Sequence, residues 1–184
     1  MMKLLNILII LIILGCSSVY VVSDSKDRKV AIYTGNIKLK NLEYYIDTKT
    51  QKVVPTADKN ILSFMWQRET GLSFQSGIAG LVQIDSLLIT IGDSTAVFKR
   101  GDSGNYTITK YLKKGRIAHS TIDYPLEMEY FKKIAFSKGV IVENFFRRDG
   151  ISYKSLSIFK KSTFNRIQSF FWKISDNELD NARK

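Results

Sequence analysis

From residue 30 to residue 109, short runs rich in valine, isoleucine, threonine and tyrosine are separated by glycine, asparagine and aspartate. That rhythm restricts the segment to short strands joined by turns. Runs 30–34 and 37–40 are split by Gly35-Asn36, and in the second Ile37 and Leu39 alternate with Lys38 and Lys40, the period of a strand with one wet face. Further strands are expected at 43–47, 51–54, 83–91, 96–100 and 106–111, with turns at 47–50, 92–94 and 101–105. Residues 60–69 fit two periods. Ile61, Met65 and Arg68 share a helical face, whereas Leu62, Phe64 and Trp66 alternate with Ile61, Ser63 and Met65 as in a strand, and the β-rich surroundings favour the strand. Gly71, Gly77 and Gly80 read as turns.

Around Pro125 the period changes. Glu127 and Glu129 stand where the positive end of a helix dipole falls, Lys132 and Lys133 near its negative end, and Gly139 terminates the run, with Leu126, Tyr130, Phe131 and Ile134 as the apolar face. Residues 140–147 and 152–159 read as a hairpin around Asp149-Gly150, a dipeptide suited to the positive φ of a tight turn. A last helix is expected from Ser162 or Thr163, with Phe164, Ile167, Phe171 and Ile174 on one face. The expected fold is α+β: mainly an antiparallel β meander with a C-terminal helix-hairpin-helix segment. It forms a single globular domain over 30–174, followed by a polar tail at 175–184.

The first residues are of another kind. Lys3 precedes an apolar run from Leu4 to Leu14, broken only by Asn6, and then Gly15 and Cys16. The run is too short for a good membrane span, which needs about 20 apolar residues, and has the architecture of a signal peptide. Ile13-Leu14-Gly15-Cys16 resembles the lipobox of bacterial lipoproteins. The resemblance implies cleavage between Gly15 and Cys16, a diacylglycerol on the Cys16 thiol and acylation of the new amine. Two or more acyl chains make a stable anchor. An ordinary signal peptide with an incidental cysteine and an uncleaved signal anchor are the competing readings. Cys16 is the only cysteine, so the chain has no intramolecular disulfide to form. Polar residues follow at 23–29, so 16–29 is expected to be the lipidated N-terminus and tether; the apolar patch at 19–22 is alternatively a first strand. The implied location is the cell envelope, on the outer membrane facing periplasm or surface in a Gram-negative host.

The net charge of +11 is unevenly distributed: residues 16–98 carry nine basic and eight acidic residues, residues 99–173 sixteen basic and six acidic. Candidate contacts to an anionic surface are Lys113, Lys114, Arg116, Lys132, Lys133, Arg147, Arg148, Lys160 and Lys161. Such a surface suits anionic lipid, anionic glycan or an envelope protein; the sequence has no recognised nucleic-acid module, and no nucleic acid is expected. The competing reading is that these side chains are solvated strand and helix faces.

Catalytic patterns are sparse. Gly101-Asp102-Ser103-Gly104 resembles the nucleophile segment of trypsin-like serine proteases, but Asn105 follows and the single histidine, His119, lies downstream, so a turn explains it better. Gly92-Asp93-Ser94 similarly resembles an esterase motif without its downstream Asp-x-x-His partner. Asp85 with Asp93, and Glu127 with Glu129, are the paired carboxylates that acid–base work would draw on. With one histidine and one cysteine, neither a metal site nor a cofactor is expected. Phe164, Phe170, Phe171 and Trp172 form an aromatic cluster in which Phe170 and Trp172 lie off the expected core face. The leading expectation is a membrane-anchored, non-enzymatic envelope lipoprotein with a basic second half. The alternatives are an envelope assembly factor acting through a sheet edge or the Phe170/Trp172 surface, and an enzyme of unrecognised type.

Overall fold

A computed structural model describes residues 19–23, 29–37, 39–42, 44–56, 60–102, 105–109 and 119–182, with the backbone alone at 29–30, 102, 105–109, 119 and 177–182. The first strands are β1 (Tyr20–Ser23), β2 (Lys29–Tyr33), β3 (Leu39–Asn41), β4 (Tyr44–Asp47) and β5 (Val53–Pro55). Longer ones follow: β6 (Asn60–Gln67), β7 (Gly71–Ala79), β8 (Gln83–Ile91), β9 (Ser94–Lys99), β10 (Asn105–Thr109) and β11 (His119–Pro125). Helix α1 (Met128–Phe136) precedes the hairpin of β12 (Ile141–Arg148) and β13 (Ile151–Phe159), and α2 (Lys161–Ala182) ends the chain's described part.

These strands form two antiparallel sheets, one ordered β1-β2-β6-β7-β11-β10, the other β5-β4-β13-β12-β8-β9 with β3 also on β13. Their inner faces meet: Phe74 of β7 packs edge-on against Phe98 of β9 with ring centroids 4.8 Å apart. The helices complete the core, since Phe131 of α1 and Phe170 of α2 both pack on Phe64 of β6. Burial alternates strictly along β6, which settles residues 60–67 as a strand.

A polar seam crosses the apolar core. Asn60 Nδ2 donates to Ser155 Oγ (2.9 Å) and Ser157 Oγ (2.7 Å) across the gap between sheets. Ser157 Oγ donates to Asn41 Oδ1 at 2.6 Å, and Ser76 Oγ donates to Asn144 Oδ1 at 2.7 Å. Asn60, Ser76, Asn144, Ser155 and Ser157 are all buried. Buried polar groups are tolerable when paired, and pairing across the gap fixes how one sheet sits on the other.

Four expectations change. The strands do not run as one meander, because β2 pairs with β6 and β7 with β11, skipping the strands between, and the last strands occupy the middle of the second sheet. The C-terminal elements are therefore no independent helix-hairpin-helix segment. The Asp149-Gly150 turn forms with φ of 51° and 79°, but β12 also pairs with β8 and β13 with β3 and β4. Their inward residues Val142, Asn144 and Phe146 are buried, which a free hairpin would leave wet. Gly77 lies inside β7 and is no turn: a Cβ there would stand 2.7 Å from Ile61 Cγ1 and 3.0 Å from Thr121 Cγ2, so glycine is what lets the neighbouring strands close over it. Finally, the patch at 19–22 follows its alternative reading as a first strand instead of a tether, with Val19 buried before β1, and α2 continues to Ala182 through the expected polar tail.

Candidate envelope-contact surface

Helix α1 starts three residues after Pro125, which closes β11, and Glu127 occupies its N-cap position with extended backbone. Phe131, Ile134 and Ala135 are buried, so the helical period turns Lys132, Lys133 and Phe136 outward. In α2 the buried residues Thr163, Ile167, Phe170, Phe171 and Ile174 leave Lys161, Asn165, Ser169 and Trp172 on the wet side. The two helices touch through Gln168 Nε2, which donates to the Ala135 carbonyl at 3.0 Å, and through an aromatic cluster. Phe136 lies 5.3 Å from Phe171 and 5.8 Å from Trp172, centroid to centroid. Phe136 is 45% exposed and Trp172 56%, so this cluster emerges from the core into solvent. Phe170, expected at the surface, is instead fully buried against Phe64 and Phe131.

Beside the cluster, a groove of about 490 Å³ lies between the end of α1 and the start of α2, lined by Ser137, Lys138, Phe159, Lys161, Phe164 and Asn165. Lys160, Lys161, Lys132, Lys133 and Lys138 are all exposed. The helix pair thus carries two of the expected basic pairs and adds Lys138, which is not among the expected contacts.

The third pair behaves differently. Arg147 makes a two-pronged contact with Asp85, Nε to Oδ2 and Nη2 to Oδ1 both at 3.0 Å. Burial works against the Asp85 carboxylate, but hydrogen bonds from Arg147 and Gln83 outweigh it and hold the carboxyl below its ordinary value. Arg148 Nη2 donates to the Ala79 carbonyl at 2.8 Å while its guanidinium lies over the Tyr45 and Phe146 rings. Both arginines are engaged in joining strands, which sets them apart from the lysines among the candidate contacts. Lys113, Lys114 and Arg116, with Gly15 and Cys16, lie outside the described residues.

The sites raised for catalysis are not drawn together. Asp85 lies near the start of β8 and Asp93 in the turn beyond its end, separated by about 20 Å of strand. Only the backbone of His119 is described, and Ser103 lies outside the described residues. Among the described residues no group of three or more His, Cys, Asp or Glu side chains could hold a metal ion. A cleft of about 600 Å³ is lined by Leu72, Ala96, Phe98, Leu126 and Tyr130 together with the polar Thr70 and Glu127, one of the carboxylates raised for acid–base work. Burial raises the Tyr130 phenol above its ordinary value, and its hydroxyl is spent on the Ile89 carbonyl at 3.0 Å. The cleft therefore offers mainly apolar contact, with the Glu127 carboxylate as its charged group.

No helix among the described residues is long and apolar enough to cross a membrane. In comparison with known proteins, no family model, no curated protein and no solved structure matches this chain.

Proposed function

We propose that this chain is a non-enzymatic lipoprotein of the bacterial envelope, anchored by acyl groups on Cys16, whose folded domain contacts an anionic envelope component through its basic helical end. The observation that carries the contact is the exposure of Lys132, Lys133, Lys138, Lys160 and Lys161 around one helix pair, against the engagement of Arg147 and Arg148 within the fold. Each lysine near an anionic surface contributes roughly 1 kcal/mol, attenuated by salt. The anchor rests on the resemblance of Ile13-Leu14-Gly15-Cys16 to a lipobox. Metabolic labelling with an alkyne fatty acid tests it: label is expected on the wild-type chain and absent from Cys16→Ser. An unlabelled, uncleaved wild-type chain refutes the anchor.

One observation favours a second reading, an assembly factor that binds another envelope protein. On the outer face of the second sheet, Leu88, Phe145 and Leu156 are half-exposed, and Val97 and Ile141 more so. Glu143 and Lys154, joined at 3.1 Å, are the ion pair that interrupts them. Site-specific cross-linking from position 97 in cells is expected to capture a defined partner under this reading, and cross-links to no protein count against it.

A further inference from the structure

The chain leaves the fold close to the exposed helix pair. Val19 is buried and Tyr20 stacks on Tyr33, so the folded body begins three residues after Cys16. Three residues reach about 10 Å when fully extended. Tyr20 lies against Gly35, where an added Cβ would stand 3.3 Å from its ring, and the next residue, Asn36, accepts a hydrogen bond from Arg166 of α2 at 2.9 Å. Trp172 is six residues further along that helix, about 9 Å at the rise of an α-helix. A lipid on Cys16 would therefore keep the α2 surface within a few nanometres of the bilayer, with no long linker to let the domain swing away.

The exposed side chains suit that neighbour. Trp172 and Phe136 present half-exposed rings in edge-on contact, and aromatic side chains, tryptophan above all, favour the boundary between water and acyl chains. Lys132 and Lys133 precede Phe136 by four and three residues, and Lys161 lies three helical turns before Trp172 on the same side. Lysine stems can lie along an apolar boundary with their ammonium groups among anionic headgroups.

We infer that the α1–α2 face seats the domain on the anionic bilayer that holds its anchor, with Trp172 and Phe136 entering the interface and Lys132, Lys133 and Lys161 engaging phosphate headgroups. This inference rests on the anchored reading for its tether, and it replaces an unspecified anionic component with the membrane surface itself.

Tryptophan fluorescence tests it, because Trp66 is buried, at 5% exposure, and Trp172 is not. The full chain, isolated with whatever modification Cys16 carries, is reconstituted into vesicles of phosphatidylcholine and phosphatidylglycerol, with or without acyl chains brominated near the headgroup. Intact mass is recorded on the same sample. Expected are a blue-shifted Trp172 emission and its quenching by the brominated lipid, both lost in Trp172→Phe and reversed in the Lys132→Glu, Lys133→Glu, Lys161→Glu variant. Unquenched Trp172 in vesicle-bound wild-type protein overturns the seating, whether or not the mass shows acyl groups. Quenched Trp172 on a chain without acyl groups supports the seating and refutes the anchor, so the two readings fail separately.

Discussion

Asn60→Ala strikes the seam that joins the sheets. Its side chain donates to Ser155 and Ser157 at 2.9 and 2.7 Å, and Ser155 Oγ donates back to Asn60 Oδ1 at 3.2 Å. Removing the amide leaves the Ser155 hydroxyl, in a residue 3% exposed, with neither of those contacts. A stranded buried hydroxyl costs about 1–3 kcal/mol and the lost bond to Ser157 about 1. Ser157 still donates to Asn41, which limits its share. The expected loss is roughly 3 kcal/mol, or about 6–12 °C in Tm for a domain of this size. Urea unfolding followed by circular dichroism measures it, with the m-value unchanged if only native contacts are lost. Ser155→Ala in the same chain removes the stranded group, so the double variant should recover at least about 1 kcal/mol relative to the sum of single losses. A loss below about 1 kcal/mol for Asn60→Ala, or strict additivity with Ser155→Ala, refutes the idea that this seam holds the sheets.

Gly77→Ala pushes a Cβ to 2.7 Å from Ile61 Cγ1 and should cost about 1–3 kcal/mol; Ile61→Ala removes the obstructing atom, so additive losses in thermal melts argue against the clash. Burial holds the Asp123 carboxyl above its ordinary value of 3.8 against an opposing hydrogen bond from Gln75. The folded state therefore favours the proton, and stability contributed by that group falls as pH rises from about 3.8 through the folded value. Asp123→Asn escapes this loss, so its Tm advantage over wild type should widen between acid and neutral pH, and parallel Tm curves contradict the burial argument. Asp85 has the opposite sign: its lowered carboxyl contributes above 3.8 and is lost as pH falls through the folded value. Arg147→Ala should then cost little stability, as exposed pairs do, with the deficit vanishing in acid. It should leave retention on anionic vesicles unchanged, and weakened retention would return Arg147 to the binding surface.

The local elements were largely readable because each was signalled within a few residues: Asp149-Gly150 for the last hairpin, the period of Phe131 and Ile134 for α1, and the alternation of Leu62, Phe64 and Trp66 for β6. What escaped depended on partners distant in sequence. Gly77 looks like a turn until Ile61 and Thr121 are seen to need its missing side chain. Phe170 looks exposed if α2 has one neighbour, but it serves both Phe64 and Phe131. The strand order follows from which inward faces must cover one another, information that no single segment holds. At the candidate surface, charge density was legible and its division was not. Arg147 and Arg148 resemble the lysine pairs in sequence, and only Asp85, Ala79 and the Tyr45 ring reveal that they are already engaged.

The placement of β13 also sets a schedule. A chain emerges from the ribosome N-terminus first, yet Leu39 in β3 waits for Phe159 and Ile46 in β4 for Lys154. The first sheet can assemble once β11 has been made, whereas the second acquires its middle only after β12 and β13 have followed. Loop-closure entropy of that span makes such a sheet slow to form. The early strands of the second sheet, β3 and β4, therefore wait for β13 before they meet their final neighbours.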